Sequence, residues 1–215
     1  MEKKKLVIAG CGKLGNIVAA LWSADCSTVM NWWEPIQGRG KIDETGKIIA
    51  AIEAQKDEEF PDLPRFGIRL FLDKKFEDVA YYGMGPHESY RDKHQATSHG
   101  IYRSKVTDLH EDYIRPQENG SHYDCDYVEL TNAQYGFAIV SEDSFSFNAS
   151  YYTQEVLEQT EHNFELEESD STVLCVDYAL NGIGSNSCGP VVLDQYRFRE
   201  NEFRFQLKLV PYVKR

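Results

Sequence analysis

Three glycines near the start of the chain have the spacing of a phosphate-binding loop. Lys5–Gly15 reads as a short apolar strand followed by G-x-G-x-x-G, and Glu34 follows after about 20 residues. In dinucleotide-binding domains such glycines let the backbone approach a pyrophosphate at a helix N-terminus, and the acidic residue binds a ribose. That function requires a helix over Asn16–Trp22 and several further strand–helix units. No helical pattern follows Glu34, so we expect a pair of edge strands here instead.

The rest of the chain alternates apolar and polar residues with the period of two that is typical of strands. The predicted strands are Lys47–Ala54, Phe66–Leu72, Val79–Tyr82, Tyr123–Thr131, Gly136–Ser141, Ser144–Ser150, Val173–Leu180 and Phe203–Val210. The only helix indicated is a short one over Thr153–Gln159, with Thr153 as its N-cap. Strands at this spacing predict an all-β sandwich or barrel.

Composition narrows the class of ligand. The 215 residues carry a formal net charge of −12, which disfavours binding to nucleic acids and to anionic membranes. Aromatic residues make up 13% of the chain, a content that suits both a β core and stacking against sugar rings. A soluble protein with a neutral ligand fits these properties.

The cysteines and the N-terminal segment bear on location and cofactors. Five cysteines in irregular positions, without a C-x-x-C pair, indicate reduced thiols and a cytoplasmic protein. The histidines lack metal-ligand spacing, so we expect this chain to bind no metal and no cofactor. Leu6–Ala9 is too short an apolar run for a signal peptide, and no run is long enough to span a membrane.

Four motifs follow one another along the chain. They are Leu63–Leu70 (LPRFGIRL), Tyr82–Lys93 (YGMGPHESYRDK), Tyr113–Gly120 (YIRPQENG) and Gly182–Pro190 (GIGSNSCGP). In order and spacing they resemble the last domain of the large β-galactosidases of glycoside hydrolase family 2. That domain also occurs as the separate small subunit of two-chain β-galactosidases. The resemblance covers Lys41–Val213 well and the first 40 residues loosely.

The resemblance implies a galactose-mutarotase-like β-supersandwich of two large antiparallel sheets. Residues 1–215 would form a single domain that lacks the N-terminal quarter to third of the family domain. Its partner would be a catalytic barrel, on the same or a separate large subunit, that hydrolyses terminal β-D-galactosides such as lactose. Any metal would belong to that catalytic part, and homo-oligomers are possible.

Catalytic residues are not expected in this chain. Retaining glycosidases use two carboxyl groups about 5 Å apart, and in this family both lie on the barrel, where the acid/base follows an Asn. Asn201 and Glu202 repeat that pair here. We expect them at a polar hairpin tip between Phe198 and Phe203, where nothing would raise the pKa of a general acid. The isolated chain is therefore expected to be inactive.

The loop Gly182–Pro190 is the first part of the predicted substrate site. In the family this loop reaches the mouth of the barrel and supplies an aromatic residue, a Trp in the best-known members, against the sugar or aglycone. Here the loop has no Trp, and a one-residue gap places a cysteine or glycine nearest that position. The predicted substrate-binding residues are Ser185, Asn186, Ser187 and Cys188. The alternative is an irregular loop without a sugar contact.

The segment Gly83–Lys93 is the second part. His87 and Glu88 are predicted to bind substrate in a polar pocket that receives sugar hydroxyls or faces the barrel. The alternative is a tight turn in which Glu88 and Arg91 form a buried ion pair.

Two other functions stay open. A free-standing carbohydrate-binding or aldose-mutarotase-like protein would need an acid and a base facing one pocket, and His87 with Glu118 are the candidates. A protein that binds NAD would depend on Gly10–Gly15 alone. Galactosidase activity that appears only after mixing with a barrel-bearing chain would favour the β-galactosidase small-chain interpretation over these two alternatives.

Overall fold

The computed structural model describes residues 46–56, 62–184 and 190–214, with the backbone of three strands nearer the N-terminus. The strands are β1 (Lys5–Ile8), β2 (Val18–Leu21), β3 (Gln37–Ile42), β4 (Ile48–Gln55), β5 (Arg65–Asp73), β6 (Asp78–Gly85), β7 (Ser98–Lys105), β8 (Ser121–Thr131), β9 (Tyr135–Ser150), β10 (Ser171–Leu180) and β11 (Glu202–Val213). The α-helix α1 spans Gln154–Gln159, with Thr153 Oγ1 accepting from the Val156 N–H as predicted for the N-cap.

Strand β11 illustrates how the alternating pattern builds the core. Phe203, Phe205, Leu207 and Leu209 are buried, whereas the residues between them are exposed. Because successive side chains of a strand point to opposite faces, one face of β11 faces the core and the other faces solvent. Its partner β4 alternates in the same way, with Phe205 opposite Ile52.

All strand pairs of the described residues are antiparallel, and the predicted all-β sandwich class is confirmed. The main path of the sheet runs β2-β1-β5-β10-β9-β11-β4-β3, while β8 joins β6 and β7 to β9. The first part of the 16-residue β9 pairs with β11 and its last part pairs with β10.

Aromatic contacts show that the β5–β10 layer packs on the β4–β11 layer. Phe66 of β5 lies edge-on to Phe203 of β11, with ring centroids 4.7 Å apart, although three strand-to-strand steps separate them in the sheet. Tyr178 of β10 stacks on Phe203, with centroids 4.9 Å apart. The two layers therefore share β9 and enclose one core.

The N-terminal strands contradict the dinucleotide-binding hypothesis. β1 pairs antiparallel with β2 and β5, and β2 lies where that hypothesis requires a helix. A parallel strand–helix–strand unit is therefore absent from the described part of this segment. The expected pair of edge strands is confirmed, whereas Glu34 lies outside the described residues.

Two other sequence expectations differ from the structure. The predicted strands Gly136–Ser141 and Ser144–Ser150 form one continuous strand, β9. The predicted hairpin between Phe198 and Phe203 is wrong, because β11 begins at Glu202 and pairs with β4 and β9 instead. Among the described residues, no helix has the length and apolar character needed to cross a membrane.

Candidate functional site

A polar cleft opens beside the end of β6. Its volume is about 670 Å³. It is lined by His87, Glu88, Asp92, Lys93, His94, Gln95, Ala96, Thr97, Glu111, Asp112 and Tyr113. The cleft therefore contains both predicted substrate-binding residues of the second motif, with His87 exposed and Glu88 buried. It also brings the Tyr82–Lys93 motif beside the start of the Tyr113–Gly120 motif.

Glu88 is a fixed carboxylate. One of its oxygens accepts from Lys93 Nζ and from the Tyr113 hydroxyl. The other accepts from the Gly120 N–H at 2.8 Å and from the Tyr90 hydroxyl at 3.3 Å. Burial alone would raise the pKa of Glu88, but these donors outweigh it and the pKa lies below its ordinary value. The side chain is thus ionised at neutral pH and is unsuited to donate a proton.

Glu88 has a different partner from the one expected. The predicted Glu88–Arg91 ion pair is wrong, because Glu88 pairs with Lys93 while Arg91 Nη1 donates to the Arg197 carbonyl at 3.3 Å. Glu88 therefore has both a structural role, through its bonds to Lys93, Tyr113 and Gly120, and a place in the cleft lining.

Asp92 connects the cleft to the fourth motif. Its two carboxylate oxygens accept from the Ile183 N–H at 3.0 Å and the Gly184 N–H at 2.8 Å. A Cβ on Gly182 would lie 2.7 Å from Asp92 Cγ, so a side chain at position 182 would clash with this carboxylate. Residues 182–184 therefore lie beside the cleft that Asp92 lines. The predicted residues Ser185, Asn186, Ser187 and Cys188 lie outside the described residues.

A buried ion-pair network fixes the third motif. Arg65 donates from Nε to Asp177 Oδ1 at 3.0 Å, from Nη2 to Asp177 Oδ2, and from Nη1 to Glu118 Oε1 at 2.6 Å. Burial alone would lower the pKa of the guanidinium, but the two carboxylates raise it well above the ordinary value. Glu118 is thereby committed to Arg65 and does not line the cleft that contains His87. The structure does not bring together the acid–base pair that mutarotation would need.

His122 lies in the core and is neutral at pH 7. It is fully buried between Tyr81 and Phe147, and its Nδ1 lies 3.3 Å from the Met84 carbonyl. Burial lowers the pKa of His122 to about 4, so the imidazole is uncharged at neutral pH. It packs the core beneath the Tyr82–Lys93 motif and does not line the cleft.

The catalytic expectation concerns Asn201, which is half-buried, and Glu202, which is exposed. Glu202 is exposed and accepts from Gln55 Nε2 at 3.2 Å, so it lacks the burial that a general acid requires. Among the residues with described side chains, no group of three or more His, Cys, Asp or Glu is placed to hold a metal ion.

Sequence reasoning missed three residues of the site: Asp92, Lys93 and Tyr113. Asp92 and Lys93 are the last two residues of the Tyr82–Lys93 motif, and Tyr113 is the first residue of the Tyr113–Gly120 motif. Each lies close to a residue with a predicted role, but nothing in the sequence places the 113–120 and 182–184 segments against 88–93. Only the fold supplies that proximity.

The comparison with known proteins decides the family. The model of the beta-galactosidase small-chain family matches residues 27–209. The chain belongs to this family. It is 47% identical over 172 residues to a beta-galactosidase of Actinobacillus pleuropneumoniae, which is 80% of this chain and 17% of that protein.

Two further beta-galactosidases are similar to most of this chain. The one from Staphylococcus xylosus is 43% identical over 79% of this chain and 17% of its own length. The one from Kluyveromyces lactis is 34% identical over 69% of this chain and 14% of its own length. The chain thus spans about a sixth of the length of the relatives it matches.

Proposed function

We propose that this chain is the small-chain domain of a β-galactosidase and completes a galactoside pocket whose catalytic carboxylates lie on a separate barrel. The substrate would be a terminal β-D-galactoside such as lactose, cleaved in the cytoplasm. What supports the proposal, beside family membership, is the convergence of three motif segments around one cleft. Glu88 binds the Gly120 N–H and the Tyr113 hydroxyl, and Asp92 binds the start of the loop 182–190.

The carboxylates of this chain indicate which part of the reaction each chain would contribute. A retaining glycosidase needs one carboxyl group that is protonated before cleavage and a second that is a free nucleophile. Glu88 is held ionised by three kinds of donor, and Glu118 is paired with Arg65. Both side chains are suited to hold polypeptide segments in position, and Glu88 also lines the cleft. In the proposal this chain therefore contributes to substrate binding, and the partner contributes bond cleavage.

Complementation tests the proposal. The chain is assayed alone, and then after mixing with a β-galactosidase catalytic chain from which the equivalent domain has been removed, by release of o-nitrophenol from its β-D-galactoside. We expect hydrolysis only in the mixture, together with co-elution of both chains in gel filtration. Co-elution without hydrolysis, or no association, would refute the proposal.

A control with galactose separates the proposal from its alternative. Polarimetry follows the interconversion of galactose anomers by the chain alone. We expect no acceleration over buffer, because Glu118 is bound to Arg65. Rapid interconversion would replace the proposal with a mutarotase function.

A further inference from the structure

Two large apolar side chains are exposed beside the cleft. Ile114 is 99% exposed and Phe164 is 85% exposed, the two largest exposed fractions among the large apolar side chains of the described residues. Asn163 Nδ2 donates to the Tyr113 carbonyl at 2.8 Å and joins the two segments at the residues just before these side chains. Ile114 and Phe164 therefore belong to one small area of the surface, which we call the 114/164 patch.

The backbone of both segments is fixed. The Tyr113 hydroxyl donates to Glu88 and accepts from Lys93 Nζ at 3.0 Å, within the cleft. In the second segment, the His162 N–H donates to Glu165 Oε2 at 3.1 Å, and the Glu165 N–H donates to the His162 carbonyl at 2.9 Å. Because the backbone is already ordered when a partner arrives, little of its conformational entropy is lost on binding.

The length of the relatives indicates what covers the patch. This chain corresponds to 17% of the beta-galactosidases of Actinobacillus pleuropneumoniae and Staphylococcus xylosus, so about five-sixths of each has no counterpart here. Burial of large apolar side chains at the centre of an interface is a main source of binding energy. A patch that adjoins the cleft through Tyr113 is therefore suited to contact the chain that carries the remaining domains.

The surroundings of the patch are acidic. Within three residues of Ile114 or Phe164 there is one arginine, Arg115, and no lysine, whereas five residues are acidic and exposed. The acidic residues are Glu111, Asp112, Glu161, Glu165 and Glu167. A two-fold interface with a second copy would place these like charges against one another, which is unfavourable. The charges favour a different partner, whose apolar pocket is bordered by lysine and arginine.

We propose that the 114/164 patch is a docking surface for the catalytic chain, which presents an apolar pocket bordered by lysines and arginines. This inference rests on the proposed function. Tyr113 lines the cleft, and its carbonyl binds the segment that carries Phe164, so docking at the patch would fix the position of the cleft against the partner. The patch acts on association of the chains and not on bond cleavage.

The test measures the Kd between this chain and a β-galactosidase catalytic chain from which the equivalent domain has been removed. Ile114→Ser and Phe164→Ser each remove one exposed apolar side chain and should leave the fold intact. We expect each variant to raise the Kd by about tenfold or more, as for an apolar anchor at the centre of an interface. Added salt should also raise the wild-type Kd, because it screens the acidic residues around the patch.

A matched control is Ile101→Ser. Ile101 is 73% exposed on β7 and does not line the cleft, so the same substitution is made at another exposed position. It should leave the Kd as in the wild type. When either patch variant is added to saturation, hydrolysis of o-nitrophenyl β-D-galactoside per complex should return to the wild-type rate, because the patch contributes to association alone.

Each outcome decides the inference. An unchanged Kd for either patch variant, or an equal rise for Ile101→Ser, would overturn it. So would a dimer of the chain alone, seen in sedimentation, that Phe164→Ser dissociates, because the occupant would then be a second copy. If the wild-type chains do not associate, the proposed function and the inference both fail. If they associate without hydrolysis, the role in substrate binding fails, whereas a Kd raised only by the patch variants would still support the docking surface.

Discussion

The buried pair Arg65–Asp177 provides the sharpest prediction about stability. Asp177→Asn removes a negative charge whose side chain is 3% exposed. Among the described residues, the guanidinium, which is 4% exposed, then keeps Glu118 alone as a carboxylate partner. The new amide also directs a donor group at the donors of Arg65. Breaking such a buried pair from one side costs roughly 3–5 kcal/mol.

The matched variant is Glu118→Gln. Glu118 is 28% exposed, so water replaces part of the lost interaction, and Arg65 keeps both bonds to Asp177. We expect this variant to lose about 1 kcal/mol. The double variant Arg65→Met/Asp177→Leu should be more stable than Asp177→Asn, because the charge that then loses its partner is Glu118, which is 28% exposed to water, and not the buried guanidinium.

Urea unfolding followed by far-ultraviolet circular dichroism measures these differences. For a domain stable by about 5–15 kcal/mol, the Asp177→Asn effect is a large fraction of the total. The reasoning is refuted if Asp177→Asn costs no more than Glu118→Gln, or if the double variant is the least stable of the three.

Three further predictions concern other buried groups. The pKa of His122 in the fold, about 4, lies below its ordinary 6.5, so the unfolded chain binds the proton more readily. The free energy of unfolding should therefore fall by about 3 kcal/mol as the pH falls from about 6.5 to 4. His122→Phe should remove most of that pH dependence, which urea unfolding at several pH values measures. A Cβ on Gly83 would overlap Cys125 Sγ, so Gly83→Ala should cost roughly 1–3 kcal/mol, and Cys125→Ala should recover part of it in the double variant. Burial raises the pKa of the Cys175 thiol to about 12, so iodoacetamide should leave Cys175 unmodified in the folded chain and alkylate it in urea. Peptide mapping measures the modification, and alkylation at equal rates in both states would contradict the buried position.

The strands were predictable where one face is buried. β4 and β11 alternate cleanly because each has one face on the core, and both appear in the sequence as a period of two. β7 was missed because it pairs only with β6 and no residue in it is buried, which leaves no hydrophobic pattern. The join between the two predicted halves of β9 was hidden by Glu142 and Asp143, whose polar side chains are the usual signal of a turn.

The candidate site was only partly predictable. The motifs contain the segments that surround the cleft, and His87 and Glu88 line it, while their binding of substrate stays a prediction. The partner of Glu88 was mistaken, since choosing between Arg91 and Lys93 requires the path of the backbone after Tyr90. The role of Asp92 depends on contacts across 91 or 92 positions in sequence, and local patterns contain no information at that distance.

The most direct test of the central claim is hydrogen exchange of this chain within an active complex with the catalytic chain. Isopropyl β-D-thiogalactoside is added at saturation, with the corresponding mannoside as control. The account predicts that peptides covering 83–93 and 182–190 of this chain become protected by the galactoside, only in the complex, and not by the mannoside. An active complex in which the galactoside protects the catalytic chain alone would contradict the claim that this chain helps to form the sugar pocket.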